Sequence, residues 1–534
     1  MEPPGRLTRR SFLAAPSLLA APPARRPNIL LIITDDQGYG DLGCHGNPHL
    51  KTPNIDRIAA EGVEFTQFHV TPVCAPTRAG LLTGRYNYRT GVVDTYLGRA
   101  MMHPDELTVA EMLREAGYRT GIFGKWHLGD NYPLRAIDQG FEEALVHTGG
   151  GIGQPSDPPG NRYFDPILFH NGKPEKHTGY CTDVFANAAI RFIEQNRSRP
   201  FFAYLATNAP HVPLEIAETW VTPYRRMGLD AITAAVYGMV QNVDENVGRI
   251  LEALRSTGVE RDTIVLFMTD NGPQQARYNA DMRGLKGSVY EGGIRVPLFV
   301  RWPGRFDGGR RVDGVCANID LAPTLLELCG IRPRAKLDGV SLASLTWPER
   351  SLFFQWHRGD VPQPHRGAAV RSGRWKLVHG TELYDLGVDP AETKDVAATH
   401  PEVVTKLVTE YEHWFRDVSA TRGYVPPRIV IGSKHENPTL LTRQDWRGPR
   451  AGWDKNSIGH WEVEVQREAR YRVTLRFEGA GEARFRLGAV EVAAKPAPGA
   501  TEHTWNNVRL PAGPATLEAS IGNTGVRYVE VERL

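Results

Sequence analysis

Two pairs of oxygen-bearing side chains stand out first. Asp35-Asp36 follows the apolar run at residues 28–33, and Asp270-Asn271 follows the apolar run at 263–268. Either pair alone reads as a turn former. Two such pairs, each placed directly after a buried strand, point instead to a site for a hard cation such as Ca²⁺ or Mg²⁺, which takes oxygen ligands. The second signal is Cys74-Ala75-Pro76-Thr77-Arg78, followed by Leu81-Leu82-Thr83-Gly84. Pro76 fixes the backbone near a helix start, so Cys74 is expected at a helix N-terminus, where orphan N–H groups favour negative charge. Arg78 lies one turn on and on the same face. A lone cysteine is most often a small buried hydrophobe. One flanked by Pro and Arg at a helix mouth calls for chemistry.

Further candidates sit where other apolar runs stop. Lys125 and His127 end the run that begins near Tyr118, and His211 lies between Pro210 and Pro213, shortly after the run at 201–206. Lys286 precedes Glu291-Gly292-Gly293-Ile294-Arg295. Taken singly, each has a bland reading, as surface lysine, packed histidine or rigid loop. Together they suggest one rim.

The elements explain why. Continuous apolar runs mark strands buried on both faces. Helical patterns lie between them, including Val236, Val240, Val243, Val247, Ile250 and Leu254 at helical spacing, closed by Gly258. This alternation predicts an α/β body with a mostly parallel central sheet flanked by helices. In such sheets ligands bind at the carboxyl ends of the strands. Residues 375–378 and 382–386 read as short strands before an amphipathic helix, a small antiparallel subdomain. After about residue 425 the hydrophobic period becomes two, as in Val473, Leu475 and Phe477, which predicts an appended all-β sandwich. The expected divisions are 1–26, 27–345, 346–425 and 426–534. The first is an export signal: Arg9-Arg10 before a short Ala-rich apolar stretch has the twin-arginine form. It is too short to span a bilayer, so the expectation is an exported bacterial protein, periplasmic or extracellular, with no stable membrane insertion.

The chain has 534 residues, and its 63 Lys+Arg against 61 Asp+Glu leave a net charge of +2. That balance gives no general pull toward nucleic acid or anionic membrane. Five cysteines in such a length exclude a dense disulfide framework.

The motifs together resemble the formylglycine-dependent sulfatases of the alkaline-phosphatase superfamily. The resemblance rests on Cys74-Ala75-Pro76-Thr77-Arg78, on Gly117-Tyr118-Arg119-Thr120 through Gly124-Lys125-Trp126-His127, on Pro210-His211-Val212-Pro213, and on Lys286 with Glu291 to Pro297. It spans residues 27 to 420 or so. Thr77 stands where Ser is the commoner residue. The resemblance implies an alkaline-phosphatase-like fold and a sulfuric ester hydrolase acting on a sulfated carbohydrate or aryl sulfate. It implies that Cys74 is converted to formylglycine by a maturation enzyme, with the aldehyde hydrate as nucleophile. Asp35, Asp36, Asp270, Asn271 and modified Cys74 would then bind one Ca²⁺. Arg78 and Lys125 would steady the formylglycine, His127 would be the base for sulfate expulsion, and His211 and Lys286 would contact the sulfate or protonate the leaving oxygen. Two alternatives stay open: a phosphomonoester, phosphodiester or phosphonate hydrolase on the same scaffold, and a non-catalytic sugar-binding protein. His45, Asn161, Arg162, Arg295 and His357 read as loop polarity. Trp446, Trp453, Trp461 and Trp505 read as packing of the sandwich core rather than sugar platforms. Because every assigned residue precedes 425, the tail is expected to be separable from the site.

Overall fold

The computed structural model describes residues 26–534, so the twin-arginine segment lies outside the described residues. A ten-stranded sheet forms the body. Its five central strands, Thr263–Thr269, Asn28–Thr34, Phe201–Ala206, Arg119–Lys125 and Glu143–His147, are parallel neighbours in that order. Antiparallel strands extend both edges, with Leu298–Arg301 on one side and Ile167–His170 on the other.

The central strand shows why its sequence has no polar alternation. Ile29, Leu31 and Ile33 enter one hydrophobic core with Phe202, Tyr204 and Leu266. Leu30 and Ile32 enter the other with Phe201, Ala203 and Phe267. Both faces are covered, so each residue of Asn28–Thr34 is buried. Burial at about 25 cal/mol per Å² of apolar surface makes these strands the rigid base of the molecule. The long helix Ala231–Ser256, capped by the Asp230 side chain, and the helix Cys181–Asn196 cover one of those faces.

Four antiparallel strands, Leu352–Gln355, Ala368–Ser372, Trp375–Val378 and Glu382–Asp385, form a second sheet beside the helix Pro401–Ser419. Lys376 ties this part to the body. Its ammonium lies 2.9 Å from Glu291 and 2.8 Å from Glu392, and all three are buried. The motif residue Glu291 is thus a structural anchor. The following Gly293 fits because a Cβ there would stand 2.0 Å from the Ser288 carbonyl oxygen.

The rest of the chain forms two further, mainly antiparallel sheets packed face to face around Trp446, Trp461, Val473, Phe485 and Val529. Period-two alternation is visible in His460–Val465, where inner residues are buried and outer ones half-buried. The fold is therefore the expected one: a mostly parallel α/β body, an antiparallel subdomain and a β-sandwich. The sandwich is not a pendant. Leu97, Met101 and Leu134 of the body share its core cluster. Gln444 donates to the Thr95 carbonyl at 2.8 Å, and Arg447 to that of Leu97 at 3.0 Å. Among the described residues no helix is long and apolar enough to cross a membrane.

Candidate active site

The carboxyl ends of the parallel strands converge as the chain direction requires. Asp35 and Asp36 follow Asn28–Thr34, Asp270 and Asn271 follow Thr263–Thr269, and Lys125 ends Arg119–Lys125. Asp36 and His127 both hold positive φ, near 64° and 62°. Aspartate and histidine tolerate that conformation better than most residues. Cys74 is the first residue of the helix Cys74–Thr83 and is buried. Thr77 keeps the hydroxyl a serine would bring: it donates to the Thr71 carbonyl at 2.7 Å and so ties the helix to the turn before it.

Each acid has a cationic partner. Lys125 lies 2.7 Å from Asp35, Lys286 lies 2.6 Å from Asp36, and Arg78 lies 2.8 Å from Asp270. Arg78 also donates to the Lys125 carbonyl at 2.9 Å, which couples the helix to the strand end. Asn271 donates to Asp36 at 2.9 Å, and the Asp36 N–H donates to Asp270 at 3.2 Å.

These contacts leave lone pairs over. Asp35 Oδ1, Asp36 Oδ2 and Asn271 Oδ1 are buried with no hydrogen-bond partner among the described residues. An unsatisfied buried polar atom costs about 1–3 kcal/mol, and three such oxygens at one point need a common partner. Ligand atoms of Asp35, Cys74 and Asp270 lie within 4.8 Å of one another, as do those of Asp35, Asp36 and His211. An oxygen-dominated set with orphaned lone pairs fits a hard divalent cation. It suits a soft-metal site poorly.

Electrostatics separates the groups. Burial works to raise the Asp36 carboxyl, but Lys286, His211 and Lys125 outweigh it and hold it below the usual carboxylate range. Burial and then Asp35 push Asp270 up to about 6 despite Arg78. Burial raises the Cys74 thiol, with only partial relief from Lys125 and Lys286, which disfavours the thiolate that cysteine nucleophiles use. Burial and Lys125 hold His127 well below the usual histidine range. Burial likewise brings His211 down to about 3, with Lys286 and Lys125 adding to it against Asp36. Each imidazole has one nitrogen committed: His127 Nε2 to the Thr95 carbonyl at 2.7 Å, and His211 Nδ1 to that of Val212 at 2.6 Å. The Nδ1 of His127 has no partner among the described residues.

Above this floor opens a cavity of about 530 Å³ lined by His211, Lys286, Val73, Tyr96, Trp356 and Arg358, with Gln154 and Trp453 on its wall. Every residue that the sequence assigns to metal or catalysis belongs to the converged cluster or its edge. The five polar loop residues do not line the cavity. Asn161 bonds within its own loop to Asp157, His45 pairs with Glu64, and Arg295 donates to the Thr66 carbonyl. No periodicity or spacing in the sequence marks the wall residues Tyr96, Trp356 and Arg358. Trp453 departs from the expectation for the tail aromatics. Trp446 and Trp461 are core, whereas Trp453 is half-buried at the cavity.

The Sulfatase family model matches residues 27–331, more than half of the chain. The chain belongs to the sulfatase family. A second model, N-sulphoglucosamine sulphohydrolase, C-terminal, matches residues 285–417. Arylsulfatase A of Homo sapiens is 34% identical, with 78% of this chain and 92% of that protein covered. N-acetylgalactosamine-6-sulfatase of Canis lupus familiaris is 32% identical, covering 74% and 81%. Among solved structures, Ps i-CgsB in complex with k-i-k-neocarrahexaose superposes with a TM-score of 0.68 at 30% identity, over 75% of this chain and 95% of that one. The phosphonate monoester hydrolase of Agrobacterium radiobacter shares the fold, with a TM-score of 0.54 at 23% identity, covering 74% and 96%. The protein is therefore a sulfuric ester hydrolase of the arylsulfatase type. Both family models end before the sandwich begins.

Proposed function

We propose that this sulfatase removes sulfate from a sulfated saccharide, using formylglycine at Cys74 and one bound Ca²⁺, and that it acts after export. The observation that carries the reading is the junction of Cys74 with three orphaned oxygens and three buried or half-buried cations. The saccharide part is supported by relatives named for N-acetylgalactosamine-6-sulfate and by a solved neighbour that holds a carrageenan hexasaccharide.

Asp35, Asp36, Asp270 and Asn271 would hold the cation, which supplies two positive charges to polarise a nucleophilic oxygen and a sulfate oxygen. Converted Cys74 supplies a hydrated aldehyde, whose two hydroxyls serve attack on sulfur and later release of sulfate. The protein's own groups do the rest. Arg78 holds Asp270 and the Lys125 carbonyl, which fixes the geometry of the helix mouth. Lys125, buried beside Asp35, keeps positive charge at the base of the site. Lys286 and His211 face the cavity, where they would bind sulfate oxygens and stabilise charge on the departing alcohol. His127, neutral and with Nδ1 unengaged, is suited to take a proton when sulfate leaves. With three carboxylates balanced by three cations, a divalent ion would make the site net positive, which suits an anionic ester.

The test uses protein from a host with the maturation enzyme. Peptide mapping of residues 70–85 should show an aldehyde in place of the thiol. Turnover of 4-nitrophenyl sulfate should exceed that of 4-nitrophenyl phosphate by orders of magnitude. Full sulfatase activity with an unmodified thiol would sink the formylglycine reading, and a preference for the phosphate would favour the phosphoryl alternative.

A further inference from the structure

The sandwich lies beyond both family matches, yet one of its residues reaches the cavity above Cys74. Trp453 sits in the loop between the sandwich strands Thr439–Thr442 and His460–Val465. Its ring meets Tyr96 of the body edge-on, with centroids 5.1 Å apart. Its indole N–H has no hydrogen-bond partner among the described residues. Trp453 lines the cavity that holds Lys286 and His211.

It also lines a second cavity, of about 230 Å³, with Gly153, Pro155, Lys455, Arg443, Arg527 and Glu478. The loop at 153–155 runs along the boundary between the two: Gln154 lines the first cavity, and its neighbours Gly153 and Pro155 line the second. Gln154 and Trp453 thus stand where the first cavity adjoins the second.

The second cavity is cationic. Arg527 pairs with Glu478 at 2.8 Å. Arg443 spends its guanidinium on the carbonyls of Val526, Gly525 and Asp454 and makes no ion pair among the described residues, although Glu478 of the same cavity attracts it. Lys455 is exposed and makes no ion pair among the described residues. The result is a half-buried aromatic platform beside Arg443, Lys455 and Arg527, against which the lining sets the single carboxylate of Glu478. Sugar rings offer apolar C–H faces to such a platform, and an acidic substituent would meet the cations. The first cavity is far larger than one sulfate ion needs and falls within the ~300–1,000 Å³ of ordinary ligand sites.

We propose that the appended sandwich is part of the substrate site. Trp453 and Lys455 hold the sugar unit next to the one that loses its sulfate. The ligand is an anionic oligosaccharide of at least two units, and the neighbouring unit carries its own sulfate or carboxylate. This inference rests on the saccharide reading given above and adds the length and charge of the substrate.

The experiment measures binding by calorimetry in a full-length C74A background, where no turnover intervenes. Probes are size-defined carrageenan-, chondroitin- and heparan-type oligosaccharides and the sulfated monosaccharide of each series. In at least one series an oligosaccharide should bind about tenfold tighter than its monosaccharide, the scale of one well-used contact. Adding W453A should shrink that ratio to near one, while W453F should keep most of it. K455E, at an exposed position whose ammonium makes no ion pair among the described residues, should lower the ratio by charge alone. No size preference in any series, or a ratio unchanged by both W453A and K455E, would overturn the proposal. Turnover of 4-nitrophenyl sulfate by the unsubstituted protein is measured alongside. Its absence would count against the sulfatase mechanism, whereas the binding ratio reads the sandwich site independently.

Discussion

Arg78→Ala is the substitution whose effect the structure specifies most closely. The guanidinium is fully buried and places Nε and Nη2 on Asp270 Oδ2 at 3.1 and 2.8 Å, with Nη1 on the Lys125 carbonyl at 2.9 Å. Alanine removes all three bonds and leaves Asp270 buried beside Asp35 without its cation. Breaking a buried pair in this way costs about 3–5 kcal/mol. At ~2–4 °C per kcal/mol for domains of 150–250 residues, that is a drop in Tm of about 6–20 °C, toward the lower end for this larger body. Calorimetry at pH 7 should show the drop in EDTA. Calcium should raise the Tm of R78A more than that of the unsubstituted protein, because a cation on Asp270 replaces part of what was lost. R78K should fall between, since lysine restores charge without the fork. Activity on 4-nitrophenyl sulfate should drop by roughly 10²–10³, the usual cost of disturbing a charge-stabilising site. An R78A protein melting within about 2 °C of the parent in EDTA, by the same scale, would refute the argument that this pair holds the helix mouth to the sheet.

Three further outcomes follow from the same geometry. C74S, made in a host that does not convert serine, keeps one hydroxyl and lacks the second; intact mass should show a stable sulfo-serine adduct after at most one turnover, and sustained turnover would contradict the two-hydroxyl mechanism. Exhaustive chelation, checked by elemental analysis, should abolish activity and lower Tm; calcium at 100 times its Kd should restore about 2.7 kcal/mol, and unchanged activity in metal-free protein would exclude the metal role. Asp157 gives the pH dependence: burial pushes its carboxyl up to about 7 although Gly153, Asn161 and Thr148 donate to it. The unfolded chain therefore loses that proton first, near the ordinary aspartate value of 3.8, and stability falls as pH rises between about 4 and 7. D157N should flatten that part of the Tm-against-pH curve, and an unaltered slope would show that Asp157 does not carry it.

Much of the site could be read from the chain because buried parallel strands are conspicuous. Residues 29–33 and 264–268 are unbroken apolar runs, and the polar pair after each had to emerge at the same sheet edge. Pro76 marks Cys74 as a residue of a first helical turn, because the N–H that proline lacks has no intrahelical partner there. What the sequence did not reveal are pairings between distant segments. Nothing in the spacing ties Lys286 to Asp36, 250 residues away, since a loop lysine looks the same wherever its loop lands. The sandwich was legible as a fold and not as a neighbour. Its docking face on the body includes Leu97, Met101 and Leu134, which look like ordinary core residues. The separable tail expected from the sequence therefore meets a shared core here. In the sequence Trp453 looks like Trp446, Trp461 and Trp505, since all four are tryptophans of one β-rich segment. Only the path of its loop against Tyr96 sets it apart.

The three cations of the site differ in depth, and that gradient bears on how an anion would be received. Arg78 and Lys125 have no exposed side-chain surface, while Lys286 retains 17%. Each is bound to a different carboxylate, so none is an uncommitted charge. A divalent ion on the orphaned oxygens of Asp35, Asp36 and Asn271 would share the negative charge that these cations now neutralise. On the proposed reading, the deep pair would keep the helix mouth and strand end in register. Lys286, lining the cavity beside His211, is the cation with room to exchange its bond to Asp36 for one to a sulfate oxygen. The same wall continues through Gln154 to Trp453, so the residues that would grip the ester and those that would grip the rest of the substrate lie along one surface, built from the body and the appended sandwich together.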